Sequence, residues 1–294
     1  MCSCPDDRYH HLMTRLGFFG AMNRDIVVEA SGEATLRLLG LGVRPLVETP
    51  ISDAEAQAGA DLLASMGAAT YLGGSAFNAA RVTALLNTAA EVDLAFFGIA
   101  GEIEGAAPHL EALHNWSVDT TGLVRSRQPP ATCLALVESA GRTLLTASGA
   151  NAGVATWLTE QSEFIAARLA RCDVVHVTSY LDPQAPGLIA EVIARARSAN
   201  PRLIVSLDPG IAWIAPGGAA LEALLKATDI LHLNAEEIDL LRKHGDMAAL
   251  GARLRSGWLV VARTHAGVTL HADAGNGMVR SLATENHPLP DATA

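Results

Sequence analysis

Three polar residues, Asp208, Asn234 and Thr264, each follow a short hydrophobic run: Leu203–Leu207, Ile230–Leu233 and Trp258–Val261. Read as strands, those runs would gather the three side chains along one sheet edge, where open α/β sheets bind ligands. Asn23-Arg24-Asp25 follows a further run, Leu16–Gly20, and Asp25 fits either a ligand contact or an ordinary turn residue. Gly73-Gly74-Ser75-Ala76-Phe77-Asn78 opens an Ala/Leu-rich run that continues to Leu86. Paired glycines allow a bend that a Cβ would obstruct and let a ligand approach the main chain. Ser75 is expected to cap the following helix, with the Asn78 amide in its first turn turned toward a polar ligand. The same residues also fit a tight turn that starts a buried helix. The chemistry on offer is recognition of a polar or phosphate-bearing ligand by backbone N–H groups and neutral or acidic side chains.

These residues need a frame, and the hydrophobic pattern supplies one. Buried strands are expected at Leu16–Gly20, Val92–Ile99, Val174–Val177, Leu203–Leu207, Ile230–Leu233 and Trp258–Val261, with helices between them. Ser52-Asp53-Ala54-Glu55 is a capping-box pattern that starts a helix running to Met66. Single helices are expected over roughly 155–171 and from Gly210 through Lys226. Residues 26–51 show short β-like runs and no helical period, which suits a flap. Thr132–Ala147 reads as a hairpin about Ala140-Gly141-Arg142. Alternating strands and helices predict a mainly parallel, covered sheet.

Bulk composition narrows the classes of function. The 294 residues are 50% hydrophobic and only 4% aromatic, so Ala, Leu, Val and Ile must fill the core. A formal charge of −10 without a Lys/Arg-rich run argues against nucleic acid or an anionic membrane as partner. Cys2, Cys4, Cys133 and Cys172 form no C-x-x-C pair or zinc spacing, and reduced thiols in a cytoplasmic protein are expected. The sequence has no P-loop and no G-x-S-x-G elbow, and Gly40-Leu41-Gly42 lacks the third glycine of a dinucleotide fingerprint. His176 and His232 lie within apolar runs and read as core residues. Residues 1–11 are expected to be a loose leader, and 12–294 a single domain with lid segments around 26–51 and 120–147.

In their order along the chain, these motifs resemble the ribokinase-like, or PfkB, family of carbohydrate and nucleoside kinases, from about Leu16 to the last residue. The resemblance implies a three-layer α/β fold with a mainly parallel central sheet and a small β flap as lid, incomplete at the C-terminus. It also implies that Asn23, Asp25, Gly73, Gly74 and Asn78 contact the substrate. Gly98–Gly105 and Gly149-Ala150-Asn151 match further landmarks of that family. Asn234-Ala235-Glu236-Glu237 is similar to its N-x-x-E element, in which Asn234 would lie near the nucleotide phosphates and Glu237 would organise water around Mg2+. The same spacing is also a capping box. Thr264 and Gly267 fall at the nucleotide-binding strand end, with Thr264 where the family has glycine.

The implied activity is ATP- and Mg2+-dependent phosphorylation of a hydroxyl on a sugar or nucleoside-like substrate. His287–Ala294 looks like the approach to the family's D-x-x-G-A-G-D signature, and no Gly-Ala-Gly-Asp run follows. Without that anion hole and its aspartate base, the expectation is weak or absent turnover. A non-catalytic small-molecule-binding or regulatory relative stands beside it, as does another enzyme on the same fold, such as a nucleotide-dependent hydro-lyase. A lid of this type can also supply a contact between two copies, which leaves a homodimer open.

Overall fold

The computed structural model describes residues 14–43, 45–46, 48–139, 141–242, 245–264, 266–274 and 278–284. The leader expected over 1–11 and the stretch His287–Ala294 lie outside them. The chain begins with β1 (Thr14–Phe19), β2 (Asn23–Glu29), α1 (Gly32–Leu38), β3 (Glu48–Pro50) and α2 (Asp53–Ser65). β4 (Ala69–Gly73), α3 (Ser75–Leu86), β5 (Val92–Gly101), α4 (Pro108–Asn115) and β6 (Asp119–Ser126) follow. The hairpin is β7 (Ala131–Glu138) and β8 (Gly141–Ala147); after it come α5 (Val154–Glu160) and α6 (Ser162–Leu169). Next are β9 (Val174–Thr178), α7 (Ala185–Ala199), β10 (Ile204–Asp208), α8 (Gly210–Ile214) and α9 (Ala219–Lys226). The described chain closes with β11 (Ile230–Asn234), α10 (Ala235–Leu241), α11 (Met247–Gly251), β12 (Leu259–Thr264), β13 (Gly267–Asp273) and β14 (Val279–Ala283).

Nine strands make the larger sheet, in the order β14-β13-β12-β11-β10-β9-β1-β5-β6. It is parallel from β12 to β6, and β13 and β14 add an antiparallel edge. This is the α/β arrangement with a mostly parallel central sheet that the strand–helix alternation implied. On one face, Val175, Val177, Val205, Leu207, Leu231 and Val260 pack beneath the later helices. On the other face, α3 and α4 cover β1 and β5 through Phe77, Phe96 and Leu113. Phe77 meets Phe96 edge-on at 6.4 Å and leans on Trp116 at 5.1 Å, an arrangement aromatic pairs favour.

A second sheet of five strands, in the order β3-β8-β7-β2-β4, takes in most of the segments expected as the lid. Its alternation separates two faces. Ile26, Val28, Leu134, Leu136 and Leu145 pack with Leu36 of α1 and Leu63 of α2, while Asp25, Cys133 and Thr146 lie on the opposite face. The apolar side of the lid is therefore covered within the chain.

Several expectations change. Gly32–Leu38 is a helix inside the stretch read as flap: Ser31 caps it, and with little more than Thr35 and Leu36 buried it shows no sequence period. The helix expected over 155–171 breaks at Gln161 into α5 and α6. The one from Gly210 to Lys226 divides into α8 and α9 around Gly217 and Gly218, whose φ of 61° and 94° no helix tolerates. Residues 120–126, included in the expected lid, belong to the edge strand β6 of the large sheet, because β6 pairs with β5. The capping box of α2 is present as read.

Candidate active site cleft

The Gly-Gly pair is where the two sheets meet, and its glycines make room for other parts of the chain. Gly74 has φ of 106°, and a Cβ there would overlap the Ala21 carbonyl. Gly73 pairs with Asn23, and a Cβ on it would overlap the Asp25 carboxylate. Gly74, not Ser75, is the N-cap of α3, and no side chain caps that helix. The expected Ser75 cap is thus corrected: Ser75 is already the first helical residue. Asn78 lies on the exposed side of the first turn and its side chain does not line the cleft below.

Between the lid and the carboxyl ends of β1 and β9 lies a cleft of about 110 Å³, lined by Asn23, Glu48, Thr146, Asn151, Ser179 and Tyr180 among others. Asn151 enters on a short 3-10 turn just past the hairpin. It donates Nδ2 to the Met22 carbonyl at 3.3 Å and to Asn23 Oδ1 at 3.5 Å. The Asn23 carbonyl accepts from His109 Nε2 at 2.9 Å. Burial lowers the His109 pKa to about 4, so the ring is neutral at pH 7. Asn151 Oδ1, Thr178 Oγ1 and Tyr180 OH are buried without a hydrogen-bond partner.

Asp25 shares the inner lid face with Cys133, to which it is paired in register, and Cys133 is paired in turn with Thr146. The Thr146 hydroxyl donates to Glu48 at 2.9 Å. Burial raises the Asp25 pKa to about 6; Arg142 opposes the shift and Glu48 adds to it. Burial also raises the Cys133 thiol to about 12, which removes it as a nucleophile at neutral pH.

The second half of the site is the rim formed by three adjacent parallel strands. Asp208, Asn234 and Thr264 are the last residues of β10, β11 and β12, as the hydrophobic runs implied. Asn234 pairs with Arg263, whose guanidinium lies 3.6 Å from the Asp208 carboxylate. Asn234 Oδ1 accepts the Glu237 N–H at 3.0 Å, and Glu237 Oε2 accepts the Asn234 N–H at 2.8 Å, a complete capping box. The Thr264 hydroxyl accepts from the Ala266 N–H at 3.2 Å, within the turn to Gly267. Burial raises the pKa of both Asp208 and Glu237. Ser179, which lines the cleft, also lies near this rim: its Oγ stands 2.7 Å from where a Cβ of Gly210 would be, two residues past Asp208.

Sequence reading flagged the Gly149-Ala150-Asn151 landmark without assigning Asn151 a contact. It missed Ser179 and Tyr180, although the rule that picked Asp208 would have found them just past β9. Glu48 carries no local signal.

Comparison with known proteins agrees with the fold. The profile of the pfkB family carbohydrate kinases matches residues 51–285. The chain belongs to that family. An adenosine kinase from Sinorhizobium meliloti superposes with a TM-score of 0.72 at 20% identity, covering 95% of this chain and 81% of that one. An Anopheles gambiae adenosine kinase in complex with P1,P4-di(adenosine-5) tetraphosphate gives 0.71 at 20% identity, covering 94% and 87%. A ribokinase from Giardia lamblia gives 0.66 at 17% identity, covering 93% and 77%. No curated protein matches the sequence. Among the described residues, no helix is long and apolar enough to cross a membrane.

Proposed function

We propose that this pfkB-family chain binds ATP at the rim and a small alcohol under the lid, and phosphorylates a hydroxyl of that alcohol. What carries the reading is that Ser179, which lines the cleft together with Asn23, packs against Gly210, two residues past the rim residue Asp208. Asn23, Asp25 and Asn151 would hold substrate hydroxyls, and Gly73 and Gly74 would keep the lid strand close to α3. The Gly267 backbone and Thr264 would border the nucleotide.

Asp208 and Glu237 offer hard carboxylate oxygens, the donor type Mg2+ takes when most of its shell is water and phosphate. They would supplement an ion held mainly through the nucleotide. Such an ion would neutralise charge on the transferring phosphate. The chain's own residues would position and orient, which is most of the protein's part in phosphoryl transfer.

No aspartate of the cleft is assigned as the base that takes the hydroxyl proton. The unpartnered buried oxygens of Asn151 and Tyr180 call for a ligand whether or not it reacts, and so favour a second reading, a non-catalytic binding protein built on the same cleft. One experiment separates them: ADP release from Mg-ATP across a panel of sugars, polyols and nucleosides, beside calorimetric binding of the same panel. Substrate-dependent ADP release supports the kinase. Binding with no ADP above background supports the second reading, and no binding of nucleotide or alcohol overturns both.

A further inference from the structure

The substrate half of the cleft is rich in acceptors and poor in cations. Thr146, Cys133 and Asp25 lie in register across β8, β7 and β2, and the Thr146 hydroxyl donates to Glu48 of β3. Glu48 and Thr146 line the cleft, and among the described residues no Lys or Arg side chain does. Deeper in, Asn151 is 6% exposed with its Oδ1 unpartnered, and Tyr180 is 2% exposed with its hydroxyl unpartnered. Both line the same cleft. A buried polar atom left without a partner costs about 1–3 kcal/mol, so each of these marks a place for a ligand group.

The composition of the wall sorts ligand classes. A phosphate or carboxylate on the substrate would face Glu48 without a guanidinium or ammonium in the cleft lining to meet it. The base of a nucleoside needs a flat apolar surface, and Tyr180 is the one aromatic residue in the lining. An ammonium group, by contrast, brings three donors and no acceptor, which matches the Glu48 carboxylate and the Asn151 amide oxygen.

We infer that the cleft takes a polyhydroxylated substrate bearing a protonated amine, an amino sugar or amino polyol, with the amine held on Glu48 and a hydroxyl on Asn151. This rests on the proposed small-alcohol site but not on turnover. Asp25, on the same lid face, answers to Arg142 more than to Glu48, which leaves the amine to Glu48.

The test is calorimetric binding at pH 7.5 without nucleotide, using glucosamine and 1-amino-1-deoxysorbitol against glucose, sorbitol, N-acetylglucosamine, glucose 6-phosphate and adenosine. The amines are expected to bind about tenfold tighter than their neutral counterparts, as one charge-assisted contact implies. In Glu48→Gln, with circular dichroism confirming the fold, that preference should fall below about threefold. Equal binding of amine and neutral compounds, preference for the phosphate or for adenosine, binding of none of the panel, or an unchanged preference in Glu48→Gln would overturn the inference. ADP release with neutral sugars or nucleosides alone would overturn it while leaving the kinase reading intact. Amine binding without ADP release would uphold it while removing the kinase.

Discussion

The two halves of the cleft satisfy their polar groups in different ways. Under the lid, Asn151, Thr178 and Tyr180 keep buried oxygens without partners, and Asp25 is desolvated beside Glu48. Along the rim, Asn234 and Glu237 cap each other, Asp208 faces Arg263, and Thr264 serves its own turn. The first half leaves acceptor and hydroxyl groups unpaired within the chain. The second is complete by itself, so a ligand there must exchange existing contacts for new ones. A site of the first kind is selective, since a wrong ligand leaves its buried atoms unpaired.

Burial follows the same division. On the face of the large sheet that carries His176 and His232, α3 and α4 cover β1 and β5, but Val174, Ile230, Leu259 and Val261 are only partly buried and Ile204 is 39% exposed. Across these strands His176 Nδ1 and His232 Nε2 each lie 3.0 Å from Ser206 Oγ, forming a polar ladder beneath the rim. The two histidines read as core residues are thus half-buried and hydrogen-bonded, because this face is covered less than the apolar sequence suggested.

The largest effect expected from this contrast is on the backbone. Gly74→Ala forces a side chain into a positive φ and onto the Ala21 carbonyl, and should cost about 3 kcal/mol or more in urea denaturation. Gly267→Ala, at φ of 123° beside the rim, should cost about 1–2 kcal/mol. Equal costs would break the contrast in rigidity.

The next effect is on acid stability. His109 and His176 have native pKa values near 4 because burial disfavours their charged forms, so below about pH 6.5 the unfolded chain binds more protons and stability falls toward pH 4. Asp25, near 6, acts oppositely: its native form holds a proton that the unfolded chain has released, so its contribution falls as pH rises from 4 to 6. The net loss on acidification from 6.5 to 4 should be roughly 2–4 kcal/mol. Asp25→Asn should enlarge it, and a chemical-denaturation series across pH would show whether it does.

Smaller effects separate the two asparagines. Asn151→Ala should weaken alcohol binding about tenfold while changing stability by about 1 kcal/mol. Asn234→Ala should cost about 1 kcal/mol through its lost cap and leave alcohol binding unchanged. Paired calorimetry and thermal melts check both, and reversed outcomes would exchange the characters of the two halves. The smallest effect belongs to Arg263→Ala: its 3.6 Å pair with Asp208 is more than half exposed on the arginine side, so stability should move by less than about 0.5 kcal/mol. Nucleotide affinity is then the informative readout.

How much was legible beforehand follows the range of the interactions. Ser52 and Glu55, Asn234 and Glu237, and the hydrophobic runs ahead of Asp208, Asn234 and Thr264 carry their meaning within a few residues, so capping, strand–helix alternation and the rim could all be read locally. α1 escaped because so few of its residues are buried, and the breaks at Gln161 and around Gly217 because local propensity does not record how helices must turn to cover a sheet. The sequence by itself determined the alternation, the strand ends and the family. Only the tertiary structure decided that Gly73 yields its space to Asp25, that Glu48 and Thr146 line the cleft, and that Asn151 and Tyr180 keep unpaired oxygens there. Those outcomes depend on contacts between residues as much as 129 positions apart, whose partners no local pattern specifies.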